Sequence, residues 1–285
     1  MSGVELIERG RSGYPPALEE IPDAPERLYV RGRLPERPCV AVVGSRSATR
    51  YGLGLARAFG RALAEAGWPV ASGLARGVDG AAHEAVSMAG GIGVAVLGCG
   101  PDLMYPPEHT GLAARLVGDG GAVVTEFPPG SRPEPWRFPL RNRIISGLSS
   151  VVVVVEASVD GGALITARRA LEQGREVFAV PGDVDRSTAA GANLLIRDGA
   201  WPVLGPADLV ESVARVMGPP PTPPQAARQG TAAVDPLLAN LGISGATIDE
   251  LCVGFGLEAE VVMQRLARLE AAGLVAISDG LVTVA

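Results

Sequence analysis

The chain contains no lysine: all 25 of its basic residues are arginine. That absence excludes a Walker-type phosphate loop, which needs a lysine, and any Schiff-base chemistry. Histidine is nearly as scarce. His83 and His109 are the only two, so a multi-histidine metal site is not available. The three cysteines, Cys39, Cys99 and Cys252, are odd in number, widely spaced and set among apolar residues. They read as reduced core residues of a cytoplasmic protein, with no disulfide framework, no metal and no cofactor expected. No apolar run approaches the ~18 residues that a membrane span requires, and the chain opens on no charged-then-apolar leader.

What is present suits a compact α/β protein. An apolar fraction of 47% and 38 glycines in 285 residues exclude a disordered chain and allow one substantial core with a small second domain. The net charge of −6 gives no global pull toward nucleic acid, so any such site must be a local patch.

Residues 1–37 are rich in proline and charge and read as an extended N-terminal arm packed along the central domain. From 38 to 217, short apolar runs alternate with helical patterns. "CVAVVGS" is a strand and turn, followed by a helix over about 51–66; "PVASG" precedes a second helix near 78–89. "IGVAVLG", "GAVVTEF", "SVVVVVEA" and "REVFAVPG" continue the strand series. Near-continuous apolar strands separated by amphipathic helices predict a Rossmann-like, doubly wound, mostly parallel sheet covered on both faces. Residues 218–236, "GPPPTPPQAARQGTAAVDP", read as a semi-rigid linker. Residues 237–285 follow as helix, turn, helix and an Asp279-Gly280 hairpin, the layout of a winged helix. Val261, Val262, Leu266 and Leu269 are expected on one face of its second helix.

In open parallel sheets, ligands bind beyond the carboxyl ends of the strands, and the polar motifs of this chain fall there. "GSRSATRYG" places Gly44, Ser45 and Arg46 after the first of these strands. "SGLARGVDGAAHEA" places Arg76 and then Asp79 at the start of a helix. "SRPEPWRFPLRNRIIS" gathers Arg132, Arg137, Arg141 and Arg143 against Glu134, together with Phe138 and Asn142. Guanidinium forks and backbone N–H groups at helix starts suit phosphate oxygens, and an aromatic ring stacks on any base. Each residue also has a plainer reading. For Arg141 and Arg143 the lesser alternative is surface cations that neutralise nearby acids, and for Phe138 it is a core side chain. Asp79 reads better as a helix-start acid or a partner of Arg76 than as a base. Ser45 and Ser72 have no adjacent histidine or lysine to activate them. Glu126 and Glu156 close two strands in the manner of a hydrolase pair, but the glycine-rich loop that accompanies such a pair is absent.

Taken together and in order, several stretches resemble the DNA-processing protein A family (DprA/Smf) over essentially the whole length. They are "YPPALEEIPDAPERLYVRG", "VAVVGSRSATRYG", "VASGLARGVDGAAHEAV", "AVLGCGPDLMYPPEH", "FPLRNRIISGLSSVVVVVEA", "LITARRALEQGREVFAVPGDV" and "GANLLIRDGA". The resemblance implies a non-enzymatic, single-stranded-DNA-binding homodimer that protects incoming strands in natural transformation and loads the recombinase RecA. It places the DNA pocket at Gly44, Ser45 and Arg46, at Phe138, and at Arg141, Asn142 and Arg143. The competing class is a small-nucleotide enzyme or sensor using the same crevice. One departure touches the site: the family's Ser-Gly-Ser before "LITA" is here Gly161, Gly162 and Ala163. The last fifty residues carry six acids against Arg265 and Arg268, a net −4, which points to a protein-contact module instead of a duplex binder.

Overall fold

The computed structural model describes residues 3–221, 241, 245–271, 274–278 and 280–284. The chain divides into two units, residues 1–227 and 228–285.

The first unit is built on a nine-stranded sheet. Seven of its strands are β3 (Cys39–Val43), β4 (Val70–Ser72), β5 (Gly93–Val96), β6 (Ala122–Thr125), β7 (Ser149–Val154), β8 (Glu176–Ala179) and the short edge strand β9 (Trp201–Pro202). All of these run parallel, as expected for strands joined by helical crossovers. The connecting helices are α2 (Arg50–Glu65), α3 (Val78–Met88), α4 (Thr110–Gly118), α5 (Arg137–Gly147), α6 (Gly162–Glu172) and α7 (Ser187–Arg197); α8 (Pro206–Met217) closes the unit. Two N-terminal strands, β1 (Glu5–Glu8) and β2 (Arg27–Gly32), flank a one-turn helix α1 (Pro16–Glu19). The strand order is β1-β2-β6-β5-β4-β3-β7-β8-β9.

The valine run of β7 shows why this sheet is buried on both sides. Val151, Val153 and Val155 join the cluster formed with α2, α3 and α8, while Val152 and Val154 join the one formed with α1, α5, α6 and α7. Each fully buried valine contributes roughly 1.5–3 kcal/mol, and the alternation leaves neither face free for water. Helix α2 starts where the Thr49 hydroxyl accepts the Gly52 N–H at 3.1 Å. It buries Leu55, Phe59 and Leu63 along one stripe. A side chain at Gly60 would place its first carbon 2.5 Å from the Ala82 carbonyl, so α2 and α3 approach this closely only because position 60 is glycine.

The N-terminal segment differs from the expected extended arm. β2 pairs antiparallel with β6, and β1 pairs antiparallel with β2, so the segment extends the sheet at one edge. Alternation within "RLYVRG" explains it: Leu28 and Val30 point into the core, and the backbone donors between them are satisfied by the sheet. Tyr14 adds a buried hydrogen bond from its hydroxyl to the Pro25 carbonyl at 2.7 Å. At the other end of the unit, α8 stops at Met217; most of the expected linker, from residue 222 onward, lies outside the described residues.

The second unit contains β10 (Ala246–Thr247), α9 (Ile248–Phe255), α10 (Ala259–Ala271), β11 (Val275–Ser278) and β12 (Leu281–Val284), with strand order β10-β12-β11. This is the winged-helix layout. Thr247 and Glu250 form a reciprocal capping box at the start of α9. Val262, Leu266 and Leu269 of α10 are buried with Leu251 and Val275. Val261, expected on the same face, is instead 42% exposed. Being adjacent to Val262, it lies about 100° further round the helix and off that stripe. Ser278 pairs with Leu281, which leaves a two-residue connection whose Gly280 has φ +77°; Asp279 lies outside the described residues.

Candidate nucleic-acid interface

The strand order reverses direction between β3 and β7, which makes the carboxyl ends of those two strands the topological switch point. At the end of β3, a side chain on Gly44 would sit 2.5 Å from a Val78 methyl, so glycine is required here by close packing. The Ser45 N–H donates to the Glu156 carbonyl at 2.7 Å, and the Ser45 carbonyl accepts from Val78 N at 3.2 Å. The Ser45 hydroxyl accepts the Ser47 N–H at 3.1 Å. With the loop tied this way, Arg46 projects to the surface. The Glu156 carboxylate accepts from Thr49 N at 2.9 Å and from the Thr49 hydroxyl at 2.6 Å. It anchors the start of α2.

After β4, the Gly73 N–H donates to the buried Asp79 carboxylate at 3.0 Å. Asp79 sits near Arg141, not Arg76, and its burial pushes its carboxyl pKa up despite that cation. Arg141 is itself only 2% exposed, with Nη1 donating to the Val96 carbonyl. Its guanidinium packs against Gly73, where any side chain would collide with it. Burial pulls its pKa down to about 10, and the Asp79 carboxylate opposes that shift. Arg141 therefore stays charged at neutral pH, with its Nε lacking a hydrogen-bond partner among the described residues.

Arg141 forms part of the lining of an open cleft of about 320 Å³, together with Arg46, Gly73, Ala75, Arg76, Tyr105, Pro106 and Phe138. The Phe138 ring has two close neighbours at the cleft. The Tyr105 ring lies 5.4 Å away, tilted by 47°, and the Arg46 guanidinium sits 5.3 Å from the Phe138 centroid. Arg76, which lines the cleft, pairs with Glu108; Glu108 pushes the Arg76 pKa up, and the Glu108 carboxyl is lowered first by its own backbone N–H and then by Arg76. A larger hollow of about 380 Å³ lies toward the amino ends of the strands. Its lining, including Pro15, Pro16, Leu34, Pro35 and Leu148, is mainly apolar and lacks this convergence of charge.

The remaining expected residues lie around the cleft without lining it. Arg137 packs 4.8 Å from the Phe127 ring centroid and 5.1 Å from that of Trp136, and it donates to the Arg132 carbonyl at 2.6 Å. It braces the rim loop. The Asn142 amide donates to the Gly162 carbonyl at 3.3 Å, tying α5 to the start of α6. Arg143, expected at a phosphate, is buried and turned elsewhere. It binds the Glu126 carboxylate at 2.6 Å and lies 3.6 Å from that of Asp23. Residues two apart on a helix diverge by about 200°, so Arg141 and Arg143 cannot serve the same side of α5. Glu126 is thus engaged by Arg143 and Glu156 by Thr49, so neither is a free carboxylate. At the altered loop, Gly161 is the N-cap of α6 with no side-chain cap, and Ala163 is buried. The residue reading overlooked Tyr105 and Pro106. Their segment stands far from Phe138 in sequence, and only the proline after an aromatic marked it.

An open doubly wound sheet with an arginine-and-aromatic cleft at its switch point, joined to a winged-helix unit, defines a Rossmann-like binding protein. The chain belongs to the DNA recombination-mediator protein A family, whose model matches residues 5–214, while the DprA winged helix domain matches residues 219–280. It is 41% identical to the protein Smf of Escherichia coli over 96% of this chain and 76% of that protein. It is similar to the crystal structure of DNA processing protein A from Streptococcus pneumoniae, with a TM-score of 0.68 and 38% identity over 73% of this chain and 74% of that one. It is also similar to DNA processing protein A from Helicobacter pylori, a structure describing single-stranded DNA binding. There the TM-score is 0.67 and the identity 26%, over 74% of this chain and 96% of that one. The chain spans between 52% and 76% of the length of the curated relatives it matches.

Proposed function

We propose that this chain binds single-stranded DNA in the switch-point cleft and acts as a recombination mediator that protects the strand and hands it to RecA. The observation that carries this reading is the cluster of Arg46, Phe138 and Tyr105 that lines one cleft with the buried, charged Arg141. Aromatic faces accept any base, and arginines accept the phosphate between bases, so the combination suits a strand held without regard to sequence. The binding residues in this reading are Gly44, Ser45 and Arg46 in the loop, and Arg76, Phe138 and Arg141 in the cleft. Gly73 and Tyr105 join them, while Arg137 and Asn142 hold the frame. A mediator of this kind needs no catalytic group. Its setting is the cytoplasm, where strand and recombinase meet, and among the described residues no helix is long and apolar enough to cross a membrane. The RecA partner rests on membership of the family.

A homodimer fits the same reading, because two tethered clefts raise the effective concentration of strand at each. The surface beside edge strand β9 supports it: Trp201 is 62% exposed and Leu204 79%. β9 is too short and too proline-bound to pair as a strand with a second copy, so the contact would be made by these exposed apolar side chains. Leu204→Asp is expected to sediment as a monomer where the unaltered chain sediments as a dimer.

Binding of labelled oligonucleotides of graded length, at two salt concentrations, tests the function. A strand that contacts several phosphates loses affinity steeply with salt, by roughly 0.7 in log–log slope per phosphate, whereas a mononucleotide loses little. Tighter binding of free nucleotides than of oligonucleotides would favour the sensor class instead.

A further inference from the structure

Trp136 is 55% exposed at the start of α5, outside the lining of the cleft that holds Phe138. Exposure alone means little, but this indole is held in place. Its Nε1 donates to the Glu134 carboxylate at 2.5 Å, and the Arg137 guanidinium lies 5.1 Å from its ring centroid. The Phe127 ring meets it edge-on, with centroids 6.1 Å apart. The loop carrying it is pinned in turn. Gly130 N donates to the Asp102 carboxylate at 2.8 Å, and Gly100 N donates to the Ser131 carbonyl at 2.8 Å. An oriented indole that remains more than half exposed is pre-organised to stack, so little freedom is lost when a flat partner arrives.

Trp136 is the N-cap of α5 and Phe138 its second residue, and only Phe138 lines the cleft, so the two rings stand at separate places around the start of the helix. Cations accompany both rings: Arg46 and Arg141 line the cleft with Phe138, and the half-buried Arg137 packs on Trp136. We infer that Trp136 is a second base-stacking platform for the same single strand. One base occupies the cleft against Phe138, the backbone crosses the first turn of α5, and a later base stacks on the open face of Trp136. This rests on the strand-binding reading above. It adds that the bound strand extends past the cleft in the direction of the "SRPEPW" loop, and that Trp136 sets the minimum length for full affinity.

The test is affinity as a function of oligothymidylate length for the full chain and for Trp136→Ala, Trp136→Phe and Phe138→Ala. For long strands, Trp136→Ala is expected to weaken binding roughly five- to hundredfold, while the shortest strands that still bind are held as before. Trp136→Phe keeps a stacking face and should recover most of the loss. Phe138→Ala should weaken binding at every length. Intrinsic fluorescence gives a second readout: long strands should quench emission that Trp136→Phe no longer shows, since Trp68 is buried and Trp201 lies by the far edge strand. If Trp136→Ala binds all lengths as the unaltered chain does while Phe138→Ala is impaired, the second platform is wrong and the cleft stands. If neither variant is impaired at any length, the strand-binding reading of the cleft fails with it.

Discussion

The two flanks of α5 carry similar residues and do different work. On the cleft flank, Phe138 and Arg141 meet Arg46, Tyr105 and Gly73 around an open space. On the other, Arg143 is enclosed by Glu126 and Asp23, beside the N-terminal segment that forms β1 and β2. One guanidinium lines a cleft with no carboxylate in ion-pair contact among the described residues, and the other is held between two carboxylates. A run such as "RFPLRNR" is therefore not a single patch. The helical period sorts it into a cleft side, the proposed binding side, and a structural side, and paired charge tells the two apart where residue type does not.

The sharpest way to break this contrast is Arg143→Ala. It strands the Glu126 carboxylate, whose pKa burial already pushes up, in an enclosed site without its partner. The expected cost is about 3–5 kcal/mol of stability, read as a lowered denaturant midpoint, with single-strand affinity of the folded fraction unchanged. A normal midpoint with lost strand affinity would place Arg143 on the binding side after all.

Arg141 is where the two roles meet, so Arg141→Met should lower both stability and affinity. Its pH signature is specific. Asp79 is a buried acid whose folded pKa lies above the ordinary value, so the folded state holds its proton more tightly than the unfolded chain does. Stability from this group therefore falls as pH rises from about 4 through the raised pKa. Without Arg141 opposing that shift, the decline should extend to higher pH, and Asp79→Asn in the same background should flatten it. Unfolding midpoints measured across pH check this.

The smallest expected effect is that of Arg46→Ala. Arg46 is exposed and touches the fold through the Phe138 ring, so thermal stability should stay nearly constant. The salt dependence of strand affinity should instead fall by roughly 0.7 in slope. A lowered midpoint with an unchanged slope would move Arg46 to the structural side.

Much of this was legible in the sequence, for physical reasons. The five valines and the other apolar runs are long enough to be buried only between two helical layers, which defines the doubly wound sheet. The glycine-closed hairpin after two amphipathic helices defines the winged unit. The order of motifs and strands put the arginine–aromatic cluster beyond the carboxyl ends of the strands, where Arg46, Phe138 and Arg141 line one cleft. Side-chain direction within that cluster was not legible, because Glu126 and Asp23 lie 17 and 120 positions from Arg143 and carry no local signal of pairing with it. Tyr105 was missed for the same reason. Its place beside Phe138 depends on two loops that meet only after β5 and β6 pair. The N-terminal strands were hidden by prolines around them, although "RLYVRG" alternates as an edge-region strand should.

The central claim is that a single DNA strand lies on the cleft flank of α5. Photocrosslinking with an iodouracil-substituted oligonucleotide, followed by peptide mass mapping, tests it most directly, since the excited base attaches to an aromatic ring stacked on it. The account predicts adducts on Phe138 and Tyr105, lost when unlabelled single strand competes. Adducts confined to the winged-helix residues 245–284, or to the flank near Asp23 and Glu126, would contradict it.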